Sequence, residues 1–177
     1  MDFILRKALP EDRPAISRLI ECSARGLSRE DYASEQIEAA IRSIFGVDSE
    51  LIRDGTYFVA ESEGALVGCG GWSRRRTLFG GDQYAGRESA LLDPETDAAK
   101  IRAFFVHPAW ARRGVARAIL ERCEQEASAC GFRSLELMAT LPGLKFYRAL
   151  GYTGEERVTY EIDGTTIDFV PMRKKLA

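Results

Sequence analysis

A chain of 177 residues, 45% apolar and 29% charged, has the make-up of a globular protein, and at a length where single domains of roughly 100 to 200 residues are common, one domain over residues 1–177 is expected. A formal net charge of −2 gives no overall electrostatic pull toward nucleic acid or membrane, so any basic site has to be local. The opening MDFILRKALPED sets charges around only three apolar residues, too few for a signal-peptide core, and no segment approaches the ~20 apolar residues of a membrane span, so a cytoplasmic protein is expected.

Residues 3–8 read as a first strand, and Asp12 with Pro14 marks a helix start before Ile16, Leu19 and Ile20 at helical spacing. Ser28 and Asp31 resemble a capping box ahead of a second helix, in which Ile37, Ile41, Ile44 and Phe45 recur on one face. TYFVAESEGALVGCGGW reads as two strands, 56–61 and 65–73, joined by a tight turn at Glu63 and Gly64. From Ser73 to Ala99 neither period is sustained, and a loop this long inside a compact domain is often functional. KIRAFFVHP resumes a strand. A helix then runs from about 113 to 129, with Val115, Ala118, Ile119, Cys123 and Ala127 on its apolar side and Gly131 to stop it. RSLELMAT is a strand with Leu135 and Leu137 alternating against polar neighbours, and LPGLKFYRALGY is a short helix closed by Gly151. EERVTYEIDGTTIDFVPMRKK is a pair of strands turning at Asp163 and Gly164. This order is a mixed α/β or α+β arrangement, and the strand-helix-strand unit over 100–139 predicts two parallel neighbours joined by a right-handed crossover.

Cys22, Cys69, Cys123 and Cys130 contain no CxxC pair, and Cys123 and Cys130 on one helix would lie ~10 Å apart, beyond disulfide reach. They read as reduced, mostly core-filling residues, and with a single histidine no metal site is expected.

The stretch VHPAWARRGVARAI carries the chemistry. A helix that starts just after a strand offers unpaired backbone N–H groups and the positive end of its dipole to an anion such as phosphate. Gly114 permits close approach, Ala116 keeps the next side chain small, and Arg112, Arg113 and Arg117 can add charge-assisted hydrogen bonds. Neither the G-x-G-x-x-G fingerprint of dinucleotide binding nor a Walker loop ending in Gly-Lys-Ser/Thr is present.

FFVHPAWARRGVARAIL, followed by a strand and then FYRALGY, resembles the GNAT superfamily of acetyl-CoA-dependent N-acetyltransferases. The resemblance implies a mixed central sheet of about seven strands with helices on both faces, in the order β-α-α-β-β-β-α-β-α-β-β. It implies acetyl-CoA as cosubstrate, its pyrophosphate held by the family pattern Gln/Arg-x-x-Gly-x-Gly/Ala, which falls on Ala111-Arg112-Arg113-Gly114-Val115-Ala116 and departs from it at Ala111. It also implies a splayed preceding strand whose Phe104, Phe105 and Val106 backbone pairs with the pantetheine arm, the Phe104 amide stabilising the thioester oxyanion. Tyr147 matches the family tyrosine that protonates the leaving thiolate, a role suited to a phenol neutral at physiological pH. Thr140 and Gly143 stand where the family often has Asn and Ala, and Thr140 retains the means to bond the pantetheine amide.

Where some members place a basic Glu, this chain has Lys100, so the base is missing or lies elsewhere. Glu61, Glu88, Asp93, Glu95, Asp97, Glu136 and His107 are the candidates, and each reads as readily as a solvated charge or turn residue. Arg74, Arg75 and Arg76 fit an acidic group on a substrate or a solvated strand end, and Trp72, Phe79, Tyr84 and Trp110 fit pocket walls or ordinary packing. The expected function is acetyl transfer to a primary amine by direct attack, with a small-molecule or peptide acceptor, no nucleic-acid or membrane partner, and a homodimer allowed. A non-catalytic acyl-CoA-binding or regulatory domain is the alternative, motivated by Lys100.

Overall fold

The structure, a computed structural model, describes residues 2–177. Its elements are β1 (Ile4–Lys7), α1 (Arg13–Leu27), α2 (Ser34–Ser43), α3 (Ser49–Asp54), β2 (Tyr57–Ser62), β3 (Ala65–Ser73), β4 (Ala99–Val106), α4 (Val115–Ala129), β5 (Ser134–Thr140), α5 (Leu144–Ala149), β6 (Val158–Ile162) and β7 (Thr165–Lys175). The seven strands form one sheet in the order β1-β2-β3-β4-β5-β7-β6. Every neighbouring pair is antiparallel except β4 and β5, which the α4 crossover makes parallel as the sequence predicts.

Local chemistry explains most of these boundaries. Glu63 and Gly64 have φ of 49° and 78°, and Asp163 and Gly164 have 39° and 83°, the left-handed pairs that a two-residue hairpin turn requires. Two helix assignments differ from the sequence reading. Ser28 caps the end of α1 rather than starting a helix, and α2 begins at Ser34, where the Gln36 side chain accepts the Ala33 N–H at 2.9 Å. The additional helix α3 has only six residues, too few for a periodic signal, and is capped by the Asp48 carboxylate accepting the Leu51 N–H at 3.3 Å.

The sheet's period of two sorts its side chains into two buried layers. Phe58 and Ala60 of β2, Leu135 and Leu137 of β5, and Val170 and Met172 of β7 face α4 and α5. Tyr57 and Val59, with Ile167 and Phe169, face α1, α2 and α3. Strand β4 breaks this alternation. Ala99 and Ile101 join the α4 layer, yet Ala103 and Phe105 join the α1 layer and Phe104 and Val106 return to α4. The cause is a bulge: Ala103 takes φ of 60°, and the β3–β4 register slips between Cys69 and Gly71. The Tyr57 hydroxyl donates to the Ala103 carbonyl at 3.3 Å and so satisfies the polar group that the bulge exposes inside the core. Pairing of β4 with β5 ends at Lys100 and Glu136, just before the bulge, and the two strands part beyond it.

Segment 74–98 forms no helix or long strand, but it is laced to the body. Arg75 bridges to Leu91 and binds Asp54 at 2.8 Å, and the Thr77 hydroxyl donates to the Glu88 carbonyl at 2.8 Å. Of the four cysteines, Cys69 and Cys123 fill the core as expected, whereas Cys22 and Cys130 are exposed; all four are unpaired.

Gly68 on β3 lies directly under Val115, the first residue of α4, and a Cβ there would collide with the Val115 side chain. Gly68→Ala is therefore expected to push the start of α4 off the sheet and destabilise the fold by about 1–3 kcal/mol, the usual cost of overpacking. Thermal unfolding checks this, and an unchanged midpoint would contradict it.

Candidate active site

The turn between β4 and α4 is shaped by backbone more than by charge. Arg112 and Gly114 both sit at positive φ, 62° and 85°, and the left-handed Gly114 forms the N-terminal cap of α4. The helix thus starts at Val115, two residues later than its charge pattern suggests. The first intrahelical bond runs from the Ala118 N–H to the Gly114 carbonyl at 3.0 Å. The amides of Val115, Ala116 and Arg117 are left among the orphan donors of the first turn. His107 Nδ1 accepts the Ala109 N–H at 3.1 Å, so the imidazole caps the start of this turn instead of presenting that nitrogen as a base.

A cleft of about 1130 Å³ opens beside the turn. Its lining includes Val115, Leu137 and Tyr147 from the α4 layer and Ala24, Ile44, Phe45 and Phe169 from the α1 layer, so the cleft crosses the sheet through the gap where β4 and β5 part. Phe104, Phe105, Val106, Arg112, Gly114, Val115, Ala116, Arg117, Thr140 and Tyr147 all line it. Arg113 is the exception among the predicted residues. Its guanidinium lies 4.2 Å from the Trp110 ring centroid and donates to the Ala109 carbonyl at 3.1 Å, outside the cleft lining, because the left-handed residues on either side turn it away from its neighbours.

Backbone directions along β4 follow from two bonds. His107 N–H donates to Val67 on β3 at 2.9 Å, and Val106 N–H donates to Ser23 Oγ of α1 at 3.2 Å. Residues two apart on a strand present their amides to the same edge, so Phe104 N–H points with that of Val106 toward the β5 side, into the gap. The Val106 amide is already occupied by Ser23, a bond that the sequence alone does not reveal.

Tyr147 is 9% exposed and packs edge-on against Phe146 and Tyr152 at 5.0 and 5.7 Å. Burial first, and the neighbouring Cys123 second, push its phenol well above the ordinary value, so it stays protonated.

None of the carboxylates considered as bases lines this cleft. Glu61 pairs with Arg6 at 2.8 Å, Glu136 with Lys100 at 3.3 Å, and Asp93 and Asp97 accept backbone amides within their own loop at 3.0 and 2.8 Å. Glu88 borders a separate polar recess with Arg76, and Glu95 is exposed. The lining carboxylates are Glu30 and Asp31, on the connection between α1 and α2. Of the proposed wall aromatics, Phe79 and Trp110 line the cleft, Tyr84 backs Phe79 at 4.8 Å, and Trp72 is core, its indole N–H bonded to Glu126 at 3.0 Å.

Two further features lay outside the sequence reading. The Tyr32 hydroxyl donates to the Asp168 carbonyl at 2.5 Å and accepts the Leu141 N–H at 3.0 Å, tying the α1–α2 connection to the segment that carries Tyr147. Beneath the cleft, Arg102 meets Glu50 at 3.0 Å and Asp48 at 3.4 Å, while Arg87 meets Asp48 at 3.1 Å, all largely buried. Burial raises the Glu50 carboxyl, but hydrogen bonds from Ser89 and Arg102 and the two guanidinium charges outweigh it and hold the group below its ordinary value.

A parted sheet, a strand bulge and an open helix start beside one cleft agree with what sequence and structure comparisons find. The acetyltransferase (GNAT) family profile matches residues 17–152, and the chain belongs to this family. It is an acyltransferase. The GCN5-related N-acetyltransferase from Rhodopseudomonas palustris superposes with a TM-score of 0.73 at 25% identity, over 99% of this chain and 97% of that one. The paia N-acetyltransferase from Thermoplasma acidophilum, solved in complex with coenzyme A, gives 0.67 at 18% identity over 99% and 100%. The yncA protein of Salmonella typhimurium, solved with its cofactor acetyl-CoA, gives 0.63 at 18% over 100% and 95%. No curated protein sequence matches the chain. Among the described residues no helix is long and apolar enough to cross a membrane.

Proposed function

We propose that this protein, acting as one domain over residues 1–177, binds acetyl-CoA in the cleft and passes the acetyl group to a primary amine that attacks the thioester directly. The observation that carries the reading is the cleft itself, which has the open start of α4 at one end, crosses the sheet between β4 and β5, and has Tyr147 on its wall. Coenzyme A and acetyl-CoA accompany two proteins of the same fold, which supports this choice of cosubstrate.

The amides of Val115, Ala116 and Arg117 and the turn around Gly114 take the pyrophosphate, with Arg112 and Arg117 assisting. Arg113 contributes only by leaving the Trp110 face. The pantetheine arm lies in the gap beside Phe104 to Val106, within reach of Thr140. The Phe104 amide meets the oxyanion that forms as the amine nitrogen bonds to the carbonyl carbon. As the carbon–sulfur bond breaks, Tyr147 gives its proton to the thiolate, and the nitrogen sheds a proton toward the mouth where Glu30 and Asp31 lie. Four unpaired cysteines fit the reducing cytoplasm as the setting.

Acetyl-CoA at a hundredfold excess over its Kd is expected to add about 2.7 kcal/mol of stability, roughly 5–10 °C in Tm. No shift at millimolar cofactor would remove the cosubstrate assignment. Gly114→Ala places a Cβ on a left-handed residue facing open space in the cleft wall, and should weaken coenzyme A binding about tenfold, near 1.4 kcal/mol. Titration calorimetry reads this, and equal affinity would move the pyrophosphate elsewhere. The non-catalytic alternative predicts binding without release of free thiol from any amine.

A further inference from the structure

The half of the cleft on the α1 side has a character of its own. Phe45, Phe79, Phe105 and Phe169 line it. Their rings form one continuous wall, with centroids 5.5 Å apart for Phe45 and Phe105, 6.3 Å for Phe45 and Phe169, and 5.7 Å for Phe79 and Phe169. Tyr84 and Tyr160 back Phe79 at 4.8 and 5.0 Å. The wall is held in place. Arg87 donates to the Gly80 carbonyl at 2.5 Å and pairs with Asp48 at the start of α3 at 3.1 Å, and Arg102 donates to the Thr77 carbonyl at 3.3 Å, which fastens the segment bearing Phe79 to α3 and β4.

Charge is distributed differently. Among the described residues, Arg102 is the one buried charged residue in the lining, and its guanidinium is already ion-paired with Glu50 and Asp48 and donates to the Thr77 carbonyl. Arg29, Glu30 and Asp31 line the cleft from the α1–α2 connection, where all three are exposed. A second ammonium or a carboxylate on the acceptor would therefore be stripped of water against aromatic rings with no counter-charge at that depth. An uncharged aryl group would bury its surface there and find edge-to-face partners.

We infer that the acceptor is a monoamine whose amino group is carried on an aryl or comparably bulky apolar body, an arylalkylamine in class, seated against Phe45, Phe79, Phe105 and Phe169. This rests on the acetyl-transfer reading above and narrows it.

The test compares 2-phenylethylamine, phenylalanine, spermidine and a lysine-containing peptide, using thiol release from acetyl-CoA. A second readout is the Tm increment that each amine adds to the coenzyme A complex. 2-Phenylethylamine is expected to exceed the others in kcat/KM by about tenfold or more, over spermidine and the peptide through burial of one aryl ring and over phenylalanine through the desolvation cost of its carboxylate. Phe79→Ala should erase most of that preference through KM, and Phe79→Leu, which keeps apolar bulk, should retain most of it. Spermidine or the peptide as the best acceptor, or a preference unaltered in Phe79→Ala of intact Tm, overturns the inference. If coenzyme A raises Tm but 2-phenylethylamine neither reacts nor adds to the shift, the acceptor class falls and the cosubstrate stands. If coenzyme A gives no shift, the cosubstrate falls, and the amine increment without it decides the acceptor class.

Discussion

Tyr147→Phe is expected to lower kcat about a hundredfold while leaving coenzyme A affinity within about twofold, since general acids commonly contribute at least that much. The ring that remains still fills its place beside Phe146 and Tyr152, so the loss isolates the hydroxyl. The pH dependence has a definite sign. Burial favours the neutral phenol, so the acid form persists through neutral pH, and any descending limb due to Tyr147 lies above the ordinary phenol value of about 10. The same preference stabilises the fold below that value and is lost as pH climbs from there through the raised folded pKa. Steady-state kinetics across pH with the wild type and the phenylalanine variant checks both points, and an unchanged kcat would remove the acid role.

The largest structural effect is expected from Arg102→Leu. Asp48 is fully buried and Glu50 nearly so, and the change would leave both carboxylates with Arg87 as their remaining cation. Removing one partner from a buried ionic group costs about 3–5 kcal/mol, or roughly 10 °C or more in Tm for a chain of this size. Arg102→Leu combined with Glu50→Gln should recover part of the loss, and simple additivity in that double-mutant cycle would show that the two side chains act independently. Because the Glu50 carboxyl is held below its unfolded value, its stabilisation is present above that value of about 4.3 and is lost as pH falls through the lower folded one. Wild type should thus lose stability in acid more steeply than Glu50→Gln. The Phe79 segment hangs from the same cluster, so Arg102→Leu should also raise the acceptor KM.

Features set by a few adjacent residues were legible in the sequence. The turns at Glu63–Gly64 and Asp163–Gly164, the stop at Gly131 and the alternating Leu135 and Leu137 stand where they were expected. So does the α4 connection between parallel β4 and β5, because parallel neighbours need a long crossover, which a helix supplies. The misplaced start of α2 has a local cause as well: Ser28 and Asp31 form a plausible cap, but the chain turns once more before Gln36 closes the real one. For the site, a helix start directly after a strand could be read from residue type and spacing, whereas Tyr147 was singled out by the family resemblance of FYRALGY; both the turn and Tyr147 line the cleft.

Other features depend on residues far apart in the chain. The bulge at Ala103 has no marker in AKIRAFFV, and its carbonyl is met by the hydroxyl of Tyr57, 46 positions away. The Arg102 cluster joins residues 52 positions apart, and Tyr32 reaches Leu141 across 109. Arg113 appears equivalent to Arg112 in sequence, yet positive φ at Arg112 and Gly114 directs it onto Trp110. The sequence by itself determined the order of the elements apart from the short α3, and the helix start directly after β4, because each rests on backbone propensity and side-chain chemistry within one or two turns of chain. Only the tertiary structure decided where the sheet parts, which carboxylates reach the cleft and which aromatics wall it. Those follow from long-range packing, whose entropic cost is repaid only once the whole core has closed.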